Sequence, residues 1–452
     1  MVNILDTTTT IVAPATAAGG AVMVVRLSGN RAIEIADSIF HSRRKLAQSD
    51  GYTLHYGTIC NDEGNIIDDV VVALFRAPHS YTGDDTVEIT IHGSEQICSE
   101  LIGLCIERGA QMATPGEFTR RAFLAGKMDL SRAEAVADVI SSDSRWALNI
   151  ASTQMRGEYS KLLSSLRDEL IHLCSLLELE LDFSEEDLEF ADRQSLRKIV
   201  TEIDEQVSRL TSSFKLGNAI KNGVNVAIVG EPNVGKSTLL NALIGDDRAM
   251  VSDIAGTTRD TIEATTNIDG ILFRFIDTAG LRQTENKLEQ MGIDRTYRAI
   301  ENAHIIMHVC TVEEPLLEPI NIRNNDQNYI LVINKIDKIT SSVDKDKYNG
   351  GICISAKHNI GINELRQALR NTIDTSSLKA HSVVVSNMRH YAALRSASEA
   401  LNRARTALDC NLPADLISED LRQVLHHLGE ITGEITSDDI LHSIFSTFCI
   451  GK

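Results

Sequence analysis

The stretch from Gly230 to Thr238, which reads Gly-Glu-Pro-Asn-Val-Gly-Lys-Ser-Thr, constrains the fold more than any other part of the chain. It follows the apolar run 224–229, which is typical of a buried strand, and precedes a run with helical spacing. Glycines at both ends allow the backbone to wrap around a polyphosphate, while Lys236 can neutralise charge and Ser237 can bind Mg²⁺. The stretch therefore predicts a phosphate-binding loop at a helix N-terminus. Its predicted nucleotide contacts are Asn233, Val234, Gly235, Lys236, Ser237 and Thr238.

A second motif, Asn334-Lys335-Ile336-Asp337, indicates which base is bound. It follows the apolar run 329–333, so it lies at the carboxyl end of a predicted strand, where open α/β sheets bind ligands. Asp337 can accept hydrogen bonds from N1–H and the exocyclic amine of guanine, a donor pair that adenine lacks. Asn334 would brace the loops and Lys335 would lie along the base. A backbone N–H from Ser355, Ala356 and Lys357 would reach guanine O6, so the nucleotide is predicted to be GTP or GDP.

Two further stretches have the character of GTPase switches. The Asp-Thr-Ala-Gly sequence at 277–280 ends an apolar strand, so Asp277 can hold Mg²⁺ through water and the Gly280 N–H can contact the γ-phosphate. The Gly-Thr-Thr-Arg-Asp sequence at 256–260 supplies Thr258, whose hydroxyl can join Mg²⁺ when the γ-phosphate is present. The predicted nucleotide contacts here are Thr258, Asp277, Thr278, Ala279 and Gly280.

Leu281 stands where Ras-like enzymes have a glutamine that orients the attacking water. An apolar side chain cannot orient water, so catalysis needs another source. Three sources remain open on the residues alone: an arginine in trans, a bound monovalent cation, or a polar residue within 282–289.

Composition limits the partners and the compartment. The net charge is −19, from 63 acidic and 44 basic residues, so no protein-wide basic field gathers RNA, and any RNA contact must be local or shared with a partner. The eight cysteines are scattered without a Cys-x-x-Cys pair, which disfavours a zinc site and a disulfide framework. We therefore expect a cytoplasmic protein, with no signal peptide at residues 1–18 and no membrane insertion.

Hydrophobic periodicity predicts a mixed N-terminal domain followed by helices. Strands are predicted at 21–27, 70–75 and 87–91, and helices at 31–39 and 94–107. On the residues alone, Arg26 and Glu88 read as solvent-facing strand residues. Helical spacing dominates from about 117 to 216, as in 162–181, and returns at 388–408, 415–428 and 437–448. The acidic run 185–189 favours a solvated helix end or loop over a metal cluster.

The two helical stretches have the same character, and together they would make a larger core than the C-terminal stretch alone. We predict a multidomain α/β and all-α chain: an α+β domain at 1–117, a helical domain at 118–219 and 377–452, and an inserted Ras-like P-loop domain at 220–376 with a doubly wound, mostly parallel sheet.

Across its whole length the sequence resembles the tRNA uridine modification GTPases of the MnmE (TrmE) type. The resemblance rests on Asn233 in the phosphate loop, the two switch stretches including Leu281, and the ending Phe-Cys-Ile-Gly-Lys. It also includes four stretches with no part in the GTPase motifs: Ser-Tyr-Thr-Gly-Asp-Asp at 80–85, Thr-Pro-Gly-Glu-Phe-Thr at 114–119, Gly-Lys-Met-Asp-Leu at 126–130 and Glu-Ile-Thr-Gly-Glu-Ile-Thr-Ser-Asp-Asp at 430–439.

The resemblance implies a folate-binding N-terminal domain that forms a homodimer. It implies joint action with an FAD-binding partner, MnmG (GidA), in a heterotetramer or larger assembly, with FAD supplied only through that partner. The reaction would add an aminomethyl or carboxymethylaminomethyl group at C5 of the wobble uridine of certain tRNAs. Its one-carbon unit would come from 5-formyl- or methylene-tetrahydrofolate.

The resemblance also implies site residues. A K⁺ ion that promotes pairing of two G domains would be bound by Asn233, Ser252, Ile254 and Thr257, of which Ser252 and Thr257 would also contact GTP. Glu289 would orient the attacking water, alongside Lys236 and Asn233 as catalytic residues. The family's folate contacts fall on Arg26, Glu88, Lys127 and Lys452.

Alternatives remain at this stage. A ribosome-assembly GTPase shares the G motifs, but such proteins usually add a basic RNA-binding module, and no Gly-x-x-Gly loop in basic surroundings is evident here. A signalling GTPase with scaffold flanks is a third possibility. Cys449 is fourth from the end, but Gly451 and Lys452 do not fit prenylation. A catalytic role for Cys449 and a packing role are both open.

Overall fold

The computed structural model describes residues 8–182, 193–245, 263–277, 299–313, 327–338, 350–374 and 383–451. The chain forms two compact units, one from residues 1–137, 154–168 and 425–452, the other from 138–153 and 169–424. These two units are defined by how residues pack together within the chain, and they differ from the four predicted segments. The predicted domain boundaries remain a prediction. Among the residues just given, no helix combines the length and apolar character needed to cross a membrane.

The first unit is built on a seven-stranded sheet in the order β3-β4-β5-β6-β2-β1-β7. Neighbouring strands are antiparallel, except that β1 and β7 are parallel. The strands predicted at 21–27, 70–75 and 87–91 correspond to β2, β5 and β6. The bounds are β1 Ile11–Pro14, β2 Val22–Ser28, β3 Phe40–His41, β4 Thr53–Cys60, β5 Ile66–Phe75, β6 Thr86–His92 and β7 Gln111–Met112.

Helices α1 (Ala32–Ile39) and α2 (Glu95–Glu107) supply apolar faces to the core of this sheet. Every second residue of β2 is buried in that core, as Met23, Val25 and Leu27 are, which is the period-2 pattern of a half-buried strand. Ser94 caps α2, with its Oγ accepting from the Ile97 N–H at 3.5 Å. The predicted helices at 31–39 and 94–107 are therefore confirmed to within a residue.

The opposite face of the sheet is covered only in part. Helix α3 (Glu117–Leu124) covers the β1 end, where Phe118 packs in a cluster with Ile11 and Ala13. Away from β1 the face carries exposed apolar side chains, with relative exposures from 40% to 73% at Val22, Leu54, Tyr56 and Val71. An apolar sheet face of this kind is unusual on a monomer.

The end of the chain packs back into the first unit. Helices α4 (Leu130–Ile140) and α12 (Asp438–Ser446) share a cluster that includes Leu130 and Phe445. Gly116, at φ +66°, is tightly enclosed: a Cβ there would lie 2.7 Å from the Phe445 carbonyl oxygen. Residues more than 300 positions apart in sequence therefore form one core.

The second unit contains a six-stranded sheet in the order β13-β12-β11-β8-β10-β9, parallel except for β9. With α8 and α9 packed in its core, this is the predicted doubly wound sheet, so the fold class is confirmed. The bounds are β8 Val224–Val229, α8 Lys236–Ile244, β9 Glu263–Ile268, β10 Ile271–Asp277, β11 Ile305–Thr311, β12 Asn328–Asn334, β13 Ile352–Cys353 and α9 Ile362–Asn371.

Long helices flank this sheet in sequence. Helix α7 runs to the residue before Gly223, which has φ +90° and leads directly into β8. It packs along α10, where the rings of Phe214 and Tyr391 stack with centroids 4.3 Å apart. The bounds are α5 Arg145–Met155, α6 Glu158–Asp182, α7 Arg193–Asn222, α10 Met388–Asp409 and α11 Ala414–Thr432.

Candidate functional site

The phosphate loop joins the carboxyl end of β8 to the N-terminus of α8. Both of its glycines meet strict backbone requirements. Gly230 has φ +146°, and a Cβ there would lie 2.2 Å from the Val309 carbonyl oxygen of β11. Gly235 has φ +99° and immediately precedes α8. The loop is therefore pressed against the central strands, and its backbone path depends on glycine.

Lys236 is the first residue of α8 and is 7% exposed. Its Nζ donates to the carbonyl oxygens of Gly230 at 2.7 Å and Glu231 at 2.8 Å. The side chain thus folds back over the loop that would hold the phosphates. Both of these acceptors are main-chain oxygens of the loop itself.

Asn334, at the end of β12, ties three loops together. Its Nδ2 donates to the Val234 carbonyl oxygen at 2.8 Å, and its Oδ1 accepts from the N–H groups of Lys335 at 2.8 Å and Ala356 at 3.1 Å. A Cβ on Gly235 would lie 2.4 Å from Asn334 Nδ2. The phosphate loop and the base-recognition loops are therefore held in one fixed arrangement by a buried amide.

Asp337 lies on a short 3₁₀ turn, Ile336–Lys338, that follows β12. The hydroxyl of Ser355 donates to its Oδ1 at 2.5 Å and holds the pKa of the Asp337 carboxyl below its usual range. His358 Nε2 lies 4.0 Å from the other oxygen. The carboxylate is thus ionised and partly exposed, as an acceptor for a donor pair on a base must be.

Lys335 completes the link between the base-recognition motif and the phosphate loop. Its Nζ donates to the Asn233 carbonyl oxygen at 2.6 Å. Both residues have positive φ, +64° for Lys335 and +63° for Asn233, an uncommon conformation for non-glycine residues. Such local strain is often found at ligand sites.

Of the residues predicted in the two switches, the structure places only the main chain of Asp277. Asp277 is the last residue of β10 and pairs in register with Ile228 of β8, so its main chain is at the same sheet edge as the phosphate loop. The acidic run 185–189 and Leu281 lie outside the described residues. So do the remaining predicted site residues, which are Ser252, Ile254, Thr257, Thr258, Thr278, Ala279, Gly280, Glu289 and Lys452.

In the first unit, Arg26 and Glu88 face each other on β2 and β6. They pair in register, and Arg26 Nη2 lies 2.7 Å from Glu88 Oε1, with Nε donating to the same oxygen at 2.8 Å. Their side chains are only 16% and 27% exposed. The expectation of solvent-facing residues is therefore wrong, because each charge has a partner on the neighbouring strand.

Two aromatic rings enclose Arg26. Its guanidinium carbon lies 5.6 Å from the ring centroid of Tyr81 and 5.5 Å from that of Phe118, which is within cation–π range. Tyr81 Oη and Thr119 Oγ1 are 2.9 Å apart, and burial raises the pKa of Tyr81, so its phenol is neutral. Tyr81 lies in the 80–85 motif and Phe118 and Thr119 in the 114–119 motif, and sequence reasoning gave none of them a role.

Lys127 and the C-terminal residues approach the same region. Lys127 Nζ donates to the Pro78 carbonyl oxygen, and Arg26 Nη1 donates to the Gly451 carbonyl oxygen at 3.4 Å. Gly451 has φ +96°, and a Cβ there would lie 2.0 Å from the Pro14 carbonyl oxygen. Arg26 thus contacts both Glu88 and Gly451 directly. Lys127 contacts the segment that leads to Tyr81.

A buried network that sequence reasoning missed supports this region. Arg121, 2% exposed, donates to Glu117 Oε1 at 2.8 Å and to the Thr9 carbonyl oxygen at 2.6 Å. Glu117 Oε2 accepts from the Thr114 N–H at 2.8 Å and its hydroxyl at 2.9 Å. Burial alone would raise the pKa of Glu117, but hydrogen bonds from Thr114 and Arg121 hold it below its usual range. The Thr-x-x-Glu spacing at 114–117, which is typical of a capping box, was the sequence signal from which this network could have been predicted.

Comparison with known proteins shows which family the sequence matches. Residues 130–449 match the model of the MnmE helical domain, and residues 10–127 match that of the GTP-binding protein TrmE N-terminus. The tRNA modification GTPase MnmE of Cytophaga hutchinsonii is 49% identical over 100% of this chain and 99% of that protein. The protein of the same name from Bacteroides fragilis is 48% identical over 98% of this chain and 99% of that protein.

Among solved structures, Era from Aquifex aeolicus bound to GDP and AlF4⁻ is similar to part of the chain. It is 28% identical and covers 39% of this chain and 65% of that one, with a TM-score of 0.27. A TM-score at this level carries no structural argument. The two family models and the full-length relatives carry the assignment.

Proposed function

The chain belongs to the MnmE family of tRNA modification GTPases and is a GTP hydrolase in tRNA modification, and on that premise we propose that it couples GTP hydrolysis to the modification reaction. The observation that carries the nucleotide part is that one buried residue, Asn334, bonds both to the phosphate loop at Val234 and to Ala356, while Ser355 next to Ala356 holds Asp337. This arrangement fixes the distance between a base-recognising carboxylate and a phosphate cradle. It suits a guanine nucleotide, whose N1–H and exocyclic amine are the donor pair that Asp337 can accept, and adenine has no such donor pair.

The tRNA reaction proposed is addition of an aminomethyl or carboxymethylaminomethyl group at C5 of the wobble uridine. It takes place with an FAD-binding partner of the MnmG (GidA) type, which brings the FAD, and a cytoplasmic location follows from the substrate. The net charge of −19 supports a division of labour in which the partner provides most of the basic surface for RNA.

The folate site is proposed at Arg26 and Glu88. A carboxylate held by a guanidinium from one side can accept the donor edge of a pterin from the other. Lys127 and Lys452 would meet the carboxylates of the glutamate tail. The chemistry of these four side chains fits a reduced folate, which would supply the one-carbon unit when bound.

A homodimer is proposed through the open face of the first sheet. The exposed side chains Leu54 and Tyr56 of β4 lie in register with Ala73 and Val71 of β5. The row that starts at Leu54 and Ala73 continues across β6 and β2 to Glu88 and Arg26. A second copy that covered the apolar face would therefore also border the folate site.

The GTPase is proposed to need K⁺, held by Asn233, Ser252, Ile254 and Thr257, with paired G domains and with Glu289 orienting water. Support comes from Leu281, which cannot orient water, and from the exposed Asn233 within the phosphate loop. Turnover should be faster in K⁺ than in Na⁺ at equal ionic strength. Equal turnover in the two salts would contradict the cation mechanism and leave the GTPase itself standing.

The test of the overall function is a nucleoside digest of tRNA from a strain that lacks this chain. Unmodified wobble uridines, restored by the wild-type gene and not by Lys236→Ala, are expected. Normally modified tRNA together with defective ribosomal subunits would contradict the proposal and favour a ribosome-assembly GTPase.

A further inference from the structure

The only tryptophan of the chain, Trp146, lies in the first turn of α5. Ser144 caps this helix, since its Oγ accepts from the Ala147 N–H at 3.2 Å. The N–H of Trp146 is one of the first-turn donors that have no acceptor within their own helix. It donates to the carbonyl oxygen of Gly270 at 3.2 Å. A turn of the nucleotide-domain sheet therefore completes the N-terminus of α5.

That turn is the tip of the β9–β10 hairpin. Asp269 and Gly270 form a two-residue loop with φ of +51° and +82°, the signs of a type I′ turn. A Cβ on Gly270 would lie 3.2 Å from Arg145 Cβ and 3.3 Å from Trp146 Cδ1. The indole also packs against the core cluster of the nucleotide domain. We call this contact between Trp146 and the Asp269–Gly270 turn the clasp.

The hairpin connects directly to the elements predicted to sense the nucleotide. In sequence, β9 begins at Glu263, five residues beyond the predicted Mg²⁺ ligand Thr258. Strand β10 ends at Asp277 and pairs in register with β8, which leads into the phosphate loop. The two predicted switches therefore flank the hairpin in sequence, one before β9 and the other after β10.

The middle of the hairpin is also held, next to the end of a helix. Arg274 of β10, which pairs with Thr265, packs on Gly223, the residue between α7 and β8, where a Cβ would lie 2.8 Å from Arg274 Nε. Thus α5 contacts the tip of the hairpin, and the residue that follows α7 contacts its middle. Close-packed elements transmit small displacements because they have little free volume in which to absorb them.

We propose that the clasp transmits the nucleotide state to the helices: its geometry differs between the GDP-bound and GTP-like states, and Trp146 is a positioning residue required for GTP hydrolysis to drive tRNA modification. This inference rests on the proposed function. The residues of the clasp are not part of the predicted nucleotide site. The clasp proposal and the proposed function can therefore fail separately.

Intrinsic fluorescence tests the first half directly, because the single tryptophan of the chain is itself part of the clasp. The emission spectrum of the full chain is compared with GDP and with GDP plus aluminium fluoride in K⁺ buffer, while calorimetry measures GDP binding. A shifted emission maximum between the two states is expected. The control, Trp146→Phe with Leu148→Trp, moves the tryptophan to an exposed position on the same helix and should show no shift.

The outcomes separate the two proposals. If GDP binds and the wild-type spectra coincide, the clasp proposal is overturned and nucleotide binding stands. If GDP does not bind, both proposals fail. An equal shift in the control would assign the signal to general solvent effects and would also overturn the clasp.

The second half is tested by comparing Trp146→Ala with Leu148→Ala. For Trp146→Ala we expect GTP turnover close to wild type and a loss of about tenfold in modified uridine per GTP hydrolysed, within the usual range of coupling between sites. Leu148→Ala should change neither quantity, and Trp146→Phe should restore part of the yield. Equal losses of turnover and modification would show a merely structural role. If Trp146→Ala does not fold, the proposal is tested by two other results: the yield of modified uridine per GTP hydrolysed by Trp146→Phe, and the fluorescence comparison of the wild type.

Discussion

The nucleotide site and the Arg26–Glu88 site are held together by different kinds of contact. In the nucleotide site, the neutral amide of Asn334 bonds to main-chain groups of Val234, Lys335 and Ala356. In the first unit, Arg26 and Glu88 hold each other at 2.7 Å across two neighbouring strands.

This difference has a consequence for ligand binding. The loops of the nucleotide site are held together by the neutral amide of Asn334, and these bonds remain when a charged side chain of the site is replaced. A paired cation and anion neutralise each other, so a ligand must be recognised by the pair together and removal of either member leaves the other unbalanced. Changes in the nucleotide site should therefore affect activity more than stability, and changes at Arg26 or Glu88 should affect both.

The largest effect is expected for Lys236→Ala. GTP turnover should fall by about 10²- to 10³-fold, as when a positively charged or donor group is removed from a charged transition state. The melting temperature should change little. Lys338→Ala is the matched control, because Lys338 is exposed and pairs with Glu313 at 3.1 Å outside the phosphate loop. Turnover above a tenth of wild type would contradict the role given to Lys236.

Glu88→Gln should have the next largest effect. It leaves the Arg26 guanidinium, 16% exposed, without its counter-charge, and should lower the free energy of unfolding by about 1–2 kcal/mol. Calorimetry should show roughly tenfold weaker binding of 5-formyltetrahydrofolate.

Glu34→Gln is the control for that change. Glu34 pairs with Arg31 on the surface at 2.8 Å, so its substitution should leave both stability and folate binding nearly unchanged. Equal effects of the two substitutions would show that the Arg26–Glu88 pair is an ordinary surface pair.

Gly451→Ala should act on the folate site through the backbone. Its Cβ would meet the Pro14 carbonyl oxygen at 2.0 Å, so the C-terminus must shift away from Arg26 and folate binding should weaken several-fold. The control is Gly64→Ala. Gly64 has a φ of +81°, close to the +96° of Gly451, so the two substitutions cause similar backbone strain, but no atom lies within 4 Å of a Cβ at position 64. Gly64→Ala should cost about 1 kcal/mol of stability and leave folate binding unchanged. Equal folate affinities in the two variants would contradict the placement of the C-terminus.

The smallest effect is expected for Ser355→Ala, and it appears only at low pH. The lowered pKa of Asp337 keeps the carboxylate ionised, so its contribution to stability and to guanine binding is present above the unfolded pKa and is lost as the pH falls through the folded pKa. Without the Ser355 hydroxyl, that pKa should rise towards its usual value of about 3.9, and GDP affinity should decline at a higher pH than in wild type. Superimposable pH profiles would exclude Ser355 as the cause of the shift.

The sequence predicted the local elements well, because periodicity and capping are local properties. The strand before the phosphate loop, the glycines of that loop and the helix at 94–107 all follow from neighbouring residues. The nucleotide motifs also predicted one shared site, because each follows an apolar strand and the carboxyl ends of parallel strands meet at one edge.

Contacts between distant strands could not be predicted in this way. Arg26 and Glu88 looked solvent-facing because each was judged against its own strand, whereas their pairing depends on the register of β2 with β6. The docking of Gly451 on Pro14 and of Trp146 on Gly270 likewise depends on how separate elements pack. Only the resemblance to a family pointed to Arg26 and Glu88, and nothing in the sequence pointed to Trp146.

The most direct test of the account uses Asp337→Asn with purified partner protein and unmodified tRNA. An asparagine presents one acceptor and one donor, which suits xanthine in place of guanine. Wild type should form the modified wobble uridine with GTP and not with XTP, and Asp337→Asn should do so with XTP and not with GTP. Modification by wild type that proceeds equally well without any nucleotide would contradict the claim that a guanine nucleotide drives tRNA modification.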